Sequence, residues 1–306
     1  MTDAVTAAVT TVGIDLGATH IRAGLLDTAG RLTRIVRHPL PPDPAARRRA
    51  PAQVLAQFAD AGVDSVGLAV AGTVTEGVLT WSANLGLADV DFAAELPGHR
   101  VTVLNDARAA ALAEARLGAG AGAPSVLMVT VGTGLGGALV HDGRLHVGTG
   151  HAGEIGHLRL DADGPPCRCG NRGCWEQLAG GVALNRTGAA LTPRSCTGES
   201  VGAALLAAAA AAGEPAAVAA LRRHAEHFAR GLDSLCAVLA PHVLVLGGGL
   251  IARRGPIRDA YLAAADGLRW HDGRTRTAVL GDDAGVLGAA LAANSPGIGS
   301  GDGGPD

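Results

Sequence analysis

Residues 9–32 read VTTVGIDLGATHIRAGLLDTAGRL. Ile14 and Leu16, then Ile21, Ala23 and Leu25, alternate with small or polar residues, the pattern of half-buried strands. The glycine-bearing DLGATH between them (15–20) is a tight turn, so the stretch reads as strand, turn, strand, turn. SVLMVTVGTGLGGALVHDGRL (125–145) repeats that order: a strand, a V-G-T-G-L-G-G turn, a strand and an H-D-G turn. Identity between DLGATH and GTGLGG (132–137) is weak; what repeats is their position in the order of elements. Each hairpin leads into alternating strands and helices. The expected fold is α/β, with two lobes facing each other across a central cleft and a nucleotide between the two turns.

Working outward, PLPPDPAARRRAP (39–51) reads as a loop leading into a helix over about 52–61. SVGLAVAGTV (65–74) and RVTVLND (100–106) read as strands, and ARAAALAEARLGAG (107–120) as a helix ending at Gly118. A mostly helical region runs from about Val182 to Leu239. PHVLVLGGGLI (241–251) is a strand ending in three glycines, and TAVLGDDAGVLGAALAA (277–293) is a last strand and a last helix. The expected division is a smaller N-terminal lobe over 9–117 and a larger C-terminal lobe over 118–294. The last helix is free to pack back on the first lobe, and residues 295–306 form a flexible tail by composition.

Composition narrows the function. A hydrophobic share of 48% with only 2% aromatics calls for a core of Ala, Val and Leu, and a charged share of 17% argues against disorder. A net charge of −3 gives no electrostatic reason to expect nucleic acid or an anionic membrane as partner. The chain has no lysine, which removes P-loop chemistry and any catalytic lysine. Cysteine usage is odd and crowded, three of five within residues 167–174, unlike a secreted disulfide framework. MTDAVTAAVT lacks the basic region of a signal peptide, and the apolar run 203–213 falls short of the ~20 residues of a span. A reducing, cytoplasmic setting is expected.

Four groups of residues carry candidate chemistry. The turns with Asp15, Gly17 and Thr19, and with Thr133 and Gly134, suit phosphate oxygens: backbone N–H groups donate, glycine allows close approach and threonine hydroxyls add donors. Asp15 could hold a water on Mg²⁺, and Gly248 lies in a glycine shelf suited to adenosine. Asn105 and Asp106 stand at the tip of a strand, where open α/β sheets carry reactive groups. Asp106 is either a base for a substrate hydroxyl or the cap of the following helix, and the two roles are compatible.

The third group lies in GHAGEIGHLRLDADGPPCRCGNRGCWEQ (150–177). His157, Cys167, Cys169 and Cys174 are the ligand types of a structural Cys₃His zinc site, closed to water. The fourth group is Glu154, His157 and Glu176. Glu154 and His157 share a face if their segment is helical. A zinc-bound His157 keeps a second ring nitrogen, whose usual partner is a carboxylate or a carbonyl and which could equally meet a sugar hydroxyl, and Glu176 would be fixed by the knot two residues after its last cysteine. Cys236 reads as core and Cys196 as loop; His20, His99, His151 and His271 have no evident partner.

These motifs together resemble the ROK family of sugar kinases, within the actin-like, hexokinase-like ATPases. The resemblance rests on DLGAT (15–19), LNDARAAALAE (104–114), GTGLGGALVHDGRL (132–145), GHAGEIGH (150–157), CRCGNRGCWE (167–176), LGGG (246–249) and DDAGVLGAA (282–290), in order over nearly the whole chain. It implies duplicated ribonuclease-H-like lobes and ATP-dependent phosphorylation of the 6-hydroxyl of a hexose, with glucose first. The alternatives are an amino or N-acyl hexose (N-acetylmannosamine, N-acetylglucosamine or kanosamine) and a sugar-binding regulator without catalysis.

The resemblance implies Asp106 as base, and Asn105, Glu154, His157, Glu176 and Gly72 at the sugar. It implies Asp15, Gly17, Thr19, Thr133, Gly134 and Gly248 at ATP and Mg²⁺, and the Cys₃His set at structural Zn²⁺. It implies a homodimer. The cysteine knot favours ATP over polyphosphate, and a phosphate turn that begins at Asp15 points to the enzyme branch rather than the DNA-binding branch. Ala18 and Ala71 depart mildly from the family pattern. Arg108 stands where a small polar residue is usual, so it could alter the substrate or take a carboxylate.

Overall fold

The computed structural model describes residues 10–191, 201–271 and 274–295. It forms two units: one of residues up to 117, 147–151 and from 280 onward, the other of 118–146 and 152–279.

In the first unit, β1 (Thr11–Leu16) and β2 (His20–Leu26) pair antiparallel across the first glycine turn, and β3 (Leu32–Pro39) pairs with β2. Helix α1 (Pro44–Leu55) leads to β4 (Ser65–Val70), parallel to β1. A small meander of β5 (Thr73–Thr75), β6 (Val78–Ser82) and β7 (Leu87–Val90) follows. Then come a short helix α2 (Phe92–Glu95), β8 (Arg100–Asn105) parallel to β4, and α3 (Asp106–Leu117). The sheet order is β3-β2-β1-β4-β8.

The helix expected at 52–61 starts earlier. Asp43 accepts from Ala46 N–H at 2.7 Å and Pro44 occupies the first turn, so the proline-rich stretch is a capped helix start rather than a loop. Residues Ala56–Ala61 form a 3₁₀ turn stopped by left-handed Gly62.

The second unit opens with the hairpin β9 (Ser125–Val131) and β10 (Leu135–His141), extended by β11 (Arg144–Leu145). Its helices are α4 (Trp175–Ala179), α5 (Gly181–Leu191), α6 (Val201–Ala211) and α7 (Pro215–Leu239). Strand β12 (Val243–Gly247), α8 (Gly249–Ala252), α9 (Pro256–Asp266) and β13 (Thr275–Thr277) complete it. The order β11-β10-β9-β12-β13 repeats that of the first unit. In both sheets the first three strands form an antiparallel meander and the next two run parallel to the first. The duplication expected from the two glycine turns is therefore a duplication of topology.

The last helix, α10 (Ala284–Ala293), belongs to the first unit rather than to the second, whose residues end at Val279 just before it in sequence. It lies unusually close to the sheet. A Cβ on Gly13 or Gly67 would fall 2.0 Å from the Val286 carbonyl oxygen or 1.8 Å from that of Ala289, so only glycines in β1 and β4 admit the helix at this depth. Buried Glu114 of α3 accepts from Leu280 N–H at 2.8 Å and fixes the approach to α10. The tail beyond 295 and Cys196 lie outside the described residues. Among the described residues, no single helix is long and apolar enough to cross a membrane.

Candidate active site

Leu16, Val70 and Asn105 are level across the parallel strands β1, β4 and β8. The residues just beyond them, Gly17, Gly72 and Asp106, therefore share the carboxyl edge of one sheet, where such sheets carry their ligands. Asn105 takes the capping role considered for Asp106. Its Oδ1 accepts from Ala107 N–H at 2.9 Å and Arg108 N–H at 3.3 Å, while its Nδ2 donates to the Gly72 carbonyl at 2.9 Å. Asp106 also accepts from Ala107 N–H at 2.9 Å. Asn105 thus ties the strand tip to the turn after β4, and Gly72 meets it through its backbone. Arg108 is buried, and its guanidinium donates to the Gly150 carbonyl at 2.5 Å.

Asp15 is strongly perturbed. Burial first, and then the nearby Asp106 carboxylate, raise its pKa from 3.8 to about 6. Arg22 opposes the shift. It is the cross-strand partner of Asp15 in the hairpin, at 3.4 Å from Oδ2, and also reaches Asp282 at 2.9 Å. Gly285 of α10 lies flat against the carboxyl: a Cβ there would be 2.9 Å from Asp15 Cγ. Arg22, Asp282 and Gly285 escaped the sequence reading, although hairpin register alone pairs residue 15 with residue 22. The first turn closes through Gly17 N–H to the His20 carbonyl at 3.0 Å, so that amide serves the hairpin. The Thr19 hydroxyl lies 3.0 Å from His20 Nδ1.

In the second unit the four expected metal ligands come together. One donor atom from each of His157, Cys167, Cys169 and Cys174 lies within 4.8 Å of all the others. The Cys169–Cys174 sulfur pair and the Cys167 Sγ–His157 Nδ1 pair are each 3.5 Å apart. Zinc–sulfur and zinc–nitrogen bonds of ~2.3 and ~2.0 Å give tetrahedral edges of ~3.5–3.8 Å, so the donor set fits Zn²⁺ in type, number and spacing. Gly170 and Gly173 both take left-handed backbone, and a Cβ on Gly173 would fall 1.6 Å from the Asp161 carbonyl oxygen. Cys167 N–H donates to the Asn171 carbonyl at 2.8 Å and closes the knuckle.

The segment that carries Glu154 and His157 is not an α-helix. Ile155–His157 is a single 3₁₀ turn with Glu154 just ahead of it, joined by His157 N–H to the Glu154 carbonyl at 3.1 Å. His157 presents Nδ1 to the thiols, which leaves Nε2 as the nitrogen for any second partner.

Glu176, in α4, connects the knot to the second glycine turn. Its Oε1 is 3.9 Å from Cys167 Sγ, and a Cβ on Gly134 would fall 2.2 Å from its Oε2. Only glycine at 134 lets that carboxylate lie over the turn. The first amides of α5 hold the turn from behind: Gly181 N–H donates to the Gly132 carbonyl at 2.9 Å and Val182 N–H to the Thr133 carbonyl at 2.8 Å. Gly248, left-handed after β12, approaches the end of β9; its Cβ would be 2.5 Å from the Val131 carbonyl oxygen. Thr133, Gly134, Gly248, Glu176, His157 and the thiols thus form one neighbourhood of the second unit.

A model of the ROK family matches residues 11–295. The glucokinase of Streptomyces coelicolor is 34% identical, over 94% of this chain and 98% of its own length. The N-acetylmannosamine kinase of Citrobacter koseri is 33% identical, over 92% of this chain and 98% of its own. Among solved structures, a ROK family glucokinase from Streptomyces griseus in complex with glucose and AMPPNP is 33% identical, with a TM-score of 0.72 over 93% of this chain and 99% of that one. The fold is that of the actin-like, hexokinase-like ATPases, as the repeated sheet order requires. With the match running from the first strand through the last helix, this chain belongs to the ROK family.

Proposed function

We propose that the protein is an ATP-dependent hexose kinase that phosphorylates the 6-hydroxyl of glucose. The observation that carries the reading is Asp106 at the carboxyl edge of β8, where Asn105 accepts from both Ala107 and Arg108 N–H, so the start of α3 does not rest on the single Asp106–Ala107 bond. Asp106 accepts the proton of the 6-hydroxyl as that oxygen attacks the γ-phosphorus. The new O6–P bond forms, the bond to the β,γ-bridging oxygen breaks, and ADP leaves. Phosphoryl transfer asks the protein mainly for positioning and charge balance. Asn105, Gly72, Glu154, His157 and Glu176 orient the sugar. The turn closed by Gly17 and bearing Thr19, and the turn bearing Thr133 and Gly134, receive the phosphates, and Gly248 the adenosine. Asp15 is suited to hold Mg²⁺ through water, and that ion, when bound, neutralises charge on the β- and γ-phosphates. The Cys₃His set is suited to a structural Zn²⁺ that braces Glu176 and His157. The working form is read as a cytoplasmic homodimer.

Support for ATP and glucose comes from the relatives named glucokinase and from the Streptomyces griseus complex with glucose and AMPPNP. A second reading, an N-acyl hexose kinase, is favoured by the Citrobacter koseri relative at nearly the same identity. ADP release measured across a hexose panel, with ATP and with polyphosphate as donors, tests both. Release with glucose and ATP supports the proposal. Preference for N-acetylmannosamine selects the second reading, and no ADP with any hexose leaves a sugar-binding regulator.

A further inference from the structure

Helix α4 has only five residues, yet it carries Glu176 between the knot and the second glycine turn. So short a helix cannot satisfy its own ends or hold a fixed orientation. Three ring side chains from α7, α9 and α4 itself do this. Tyr261, fully buried in α9, donates its hydroxyl to the Ala179 carbonyl at 2.7 Å. His224, buried in α7, lies with Nδ1 2.7 Å from the Leu178 carbonyl and Nε2 2.9 Å from the Thr187 hydroxyl of α5. A carbonyl only accepts, so Nδ1 carries the proton and Nε2 receives the Thr187 hydroxyl. Trp175, the first residue of α4, donates from its indole to the His227 carbonyl at 3.1 Å.

The same rings form a column. Phe228 stacks on Trp175 at 5.7 Å and on Tyr261 at 4.5 Å between centroids. The Trp175 indole lies directly on Gly231, where a Cβ would come within 2.2 Å. Both carbonyls at the carboxyl end of α4 thus face buried donors, and its first residue is clamped at the other end. The backbone that carries Glu176 is thereby held in place, with the carboxylate over Gly134.

We infer that Tyr261 and His224 are positioning residues for Glu176. They set where that carboxylate meets the substrate without touching the substrate themselves. The inference rests on the proposed role of Glu176 at the sugar.

The test compares Tyr261→Phe, His224→Leu and His224→Asn with Glu176→Ala, reading glucose KM, kcat, glucose affinity by calorimetry, and bound zinc. Tyr261→Phe keeps the ring column and removes one hydrogen bond. It should raise glucose KM about tenfold with kcat within about twofold and zinc retained. His224→Leu should behave likewise, and His224→Asn, which restores a donor near the Nδ1 position, should recover most of the loss. In the Glu176→Ala background Tyr261→Phe should add nothing to KM, a coupling that general destabilisation would not produce. Should His224→Leu fail to fold, the milder Tyr261→Phe decides. Raised KM in Glu176→Ala beside normal Tyr261→Phe and His224→Leu would overturn the inference alone. Normal KM in Glu176→Ala would overturn the sugar role of Glu176 and the inference with it.

Discussion

The two glycine turns occupy the same place in two sheets of the same order, yet their surroundings differ in kind. The first, at Gly17–Thr19, is surrounded by charge: Asp15 beneath it, Arg22 across the hairpin, Asp282 beyond, and Asp106 close enough to raise the Asp15 pKa. The second, at Gly132–Gly134, is surrounded by scaffold: the amides of α5, the carboxylate of Glu176 and the cysteine knot behind it. A duplicated frame fixes where a turn sits. The side chains added around each copy then divide the work. On the proposed reading both turns receive phosphate; the first unit adds the base Asp106 and the charge around Asp15, and the second adds the zinc-braced residues of the sugar site.

If that division holds, breaking the scaffold of the second turn should cost binding, and changing the charge of the first should change stability and protonation. The largest effect is expected from Cys169→Ser. Three ligands hold zinc far more weakly than four, so metal is lost, the knuckle loosens and Glu176 and His157 lose their brace. Glucose affinity should fall by about a hundredfold or more, since both groups are released together. Metal analysis and calorimetry check this, and a zinc-free protein with normal glucose affinity would make the knot remote scaffolding.

A smaller effect is expected at Asp15. Its pKa is raised from 3.8 to about 6, so the folded state disfavours the carboxylate. The penalty is absent below the ordinary value, grows as pH rises, and is complete above about 6. Without added Mg²⁺, Asp15→Asn should therefore stabilise the protein at pH 8 by about 2–3 kcal/mol, with no gain near pH 3.5. Thermal unfolding at the two pH values measures it. Equal midpoints for both proteins at pH 8 would show that Arg22 already balances the charge.

Much of this was legible in the sequence because it is local. Alternation around DLGATH and GTGLGG yields two hairpins, and the spacing of His157, Cys167, Cys169 and Cys174 yields a metal set that the structure does gather. What escaped depends on long-range packing. Arg22 matters through Asp282, far along the chain, and α10 returns to the first unit because Gly13 and Gly67 clear a path for it. Asn105 took the cap from Asp106 because a side chain one residue earlier reaches the same amides, a choice that residue type alone leaves open. Tyr261 and His224 read as core in any periodicity argument; only their polar atoms, aimed at α4, distinguish them.

The central claim is that Asp106 is the base of a sugar kinase. The most direct measurement follows glucose and ATP by phosphorus resonance with the wild-type protein and with Asp106→Asn, alongside glucose binding to each. The account predicts glucose 6-phosphate and ADP from the wild type, and turnover lower by about a hundredfold or more in Asp106→Asn with glucose binding kept. Near-normal turnover by Asp106→Asn, or ATP consumed with no sugar phosphate formed by the wild type, would contradict it.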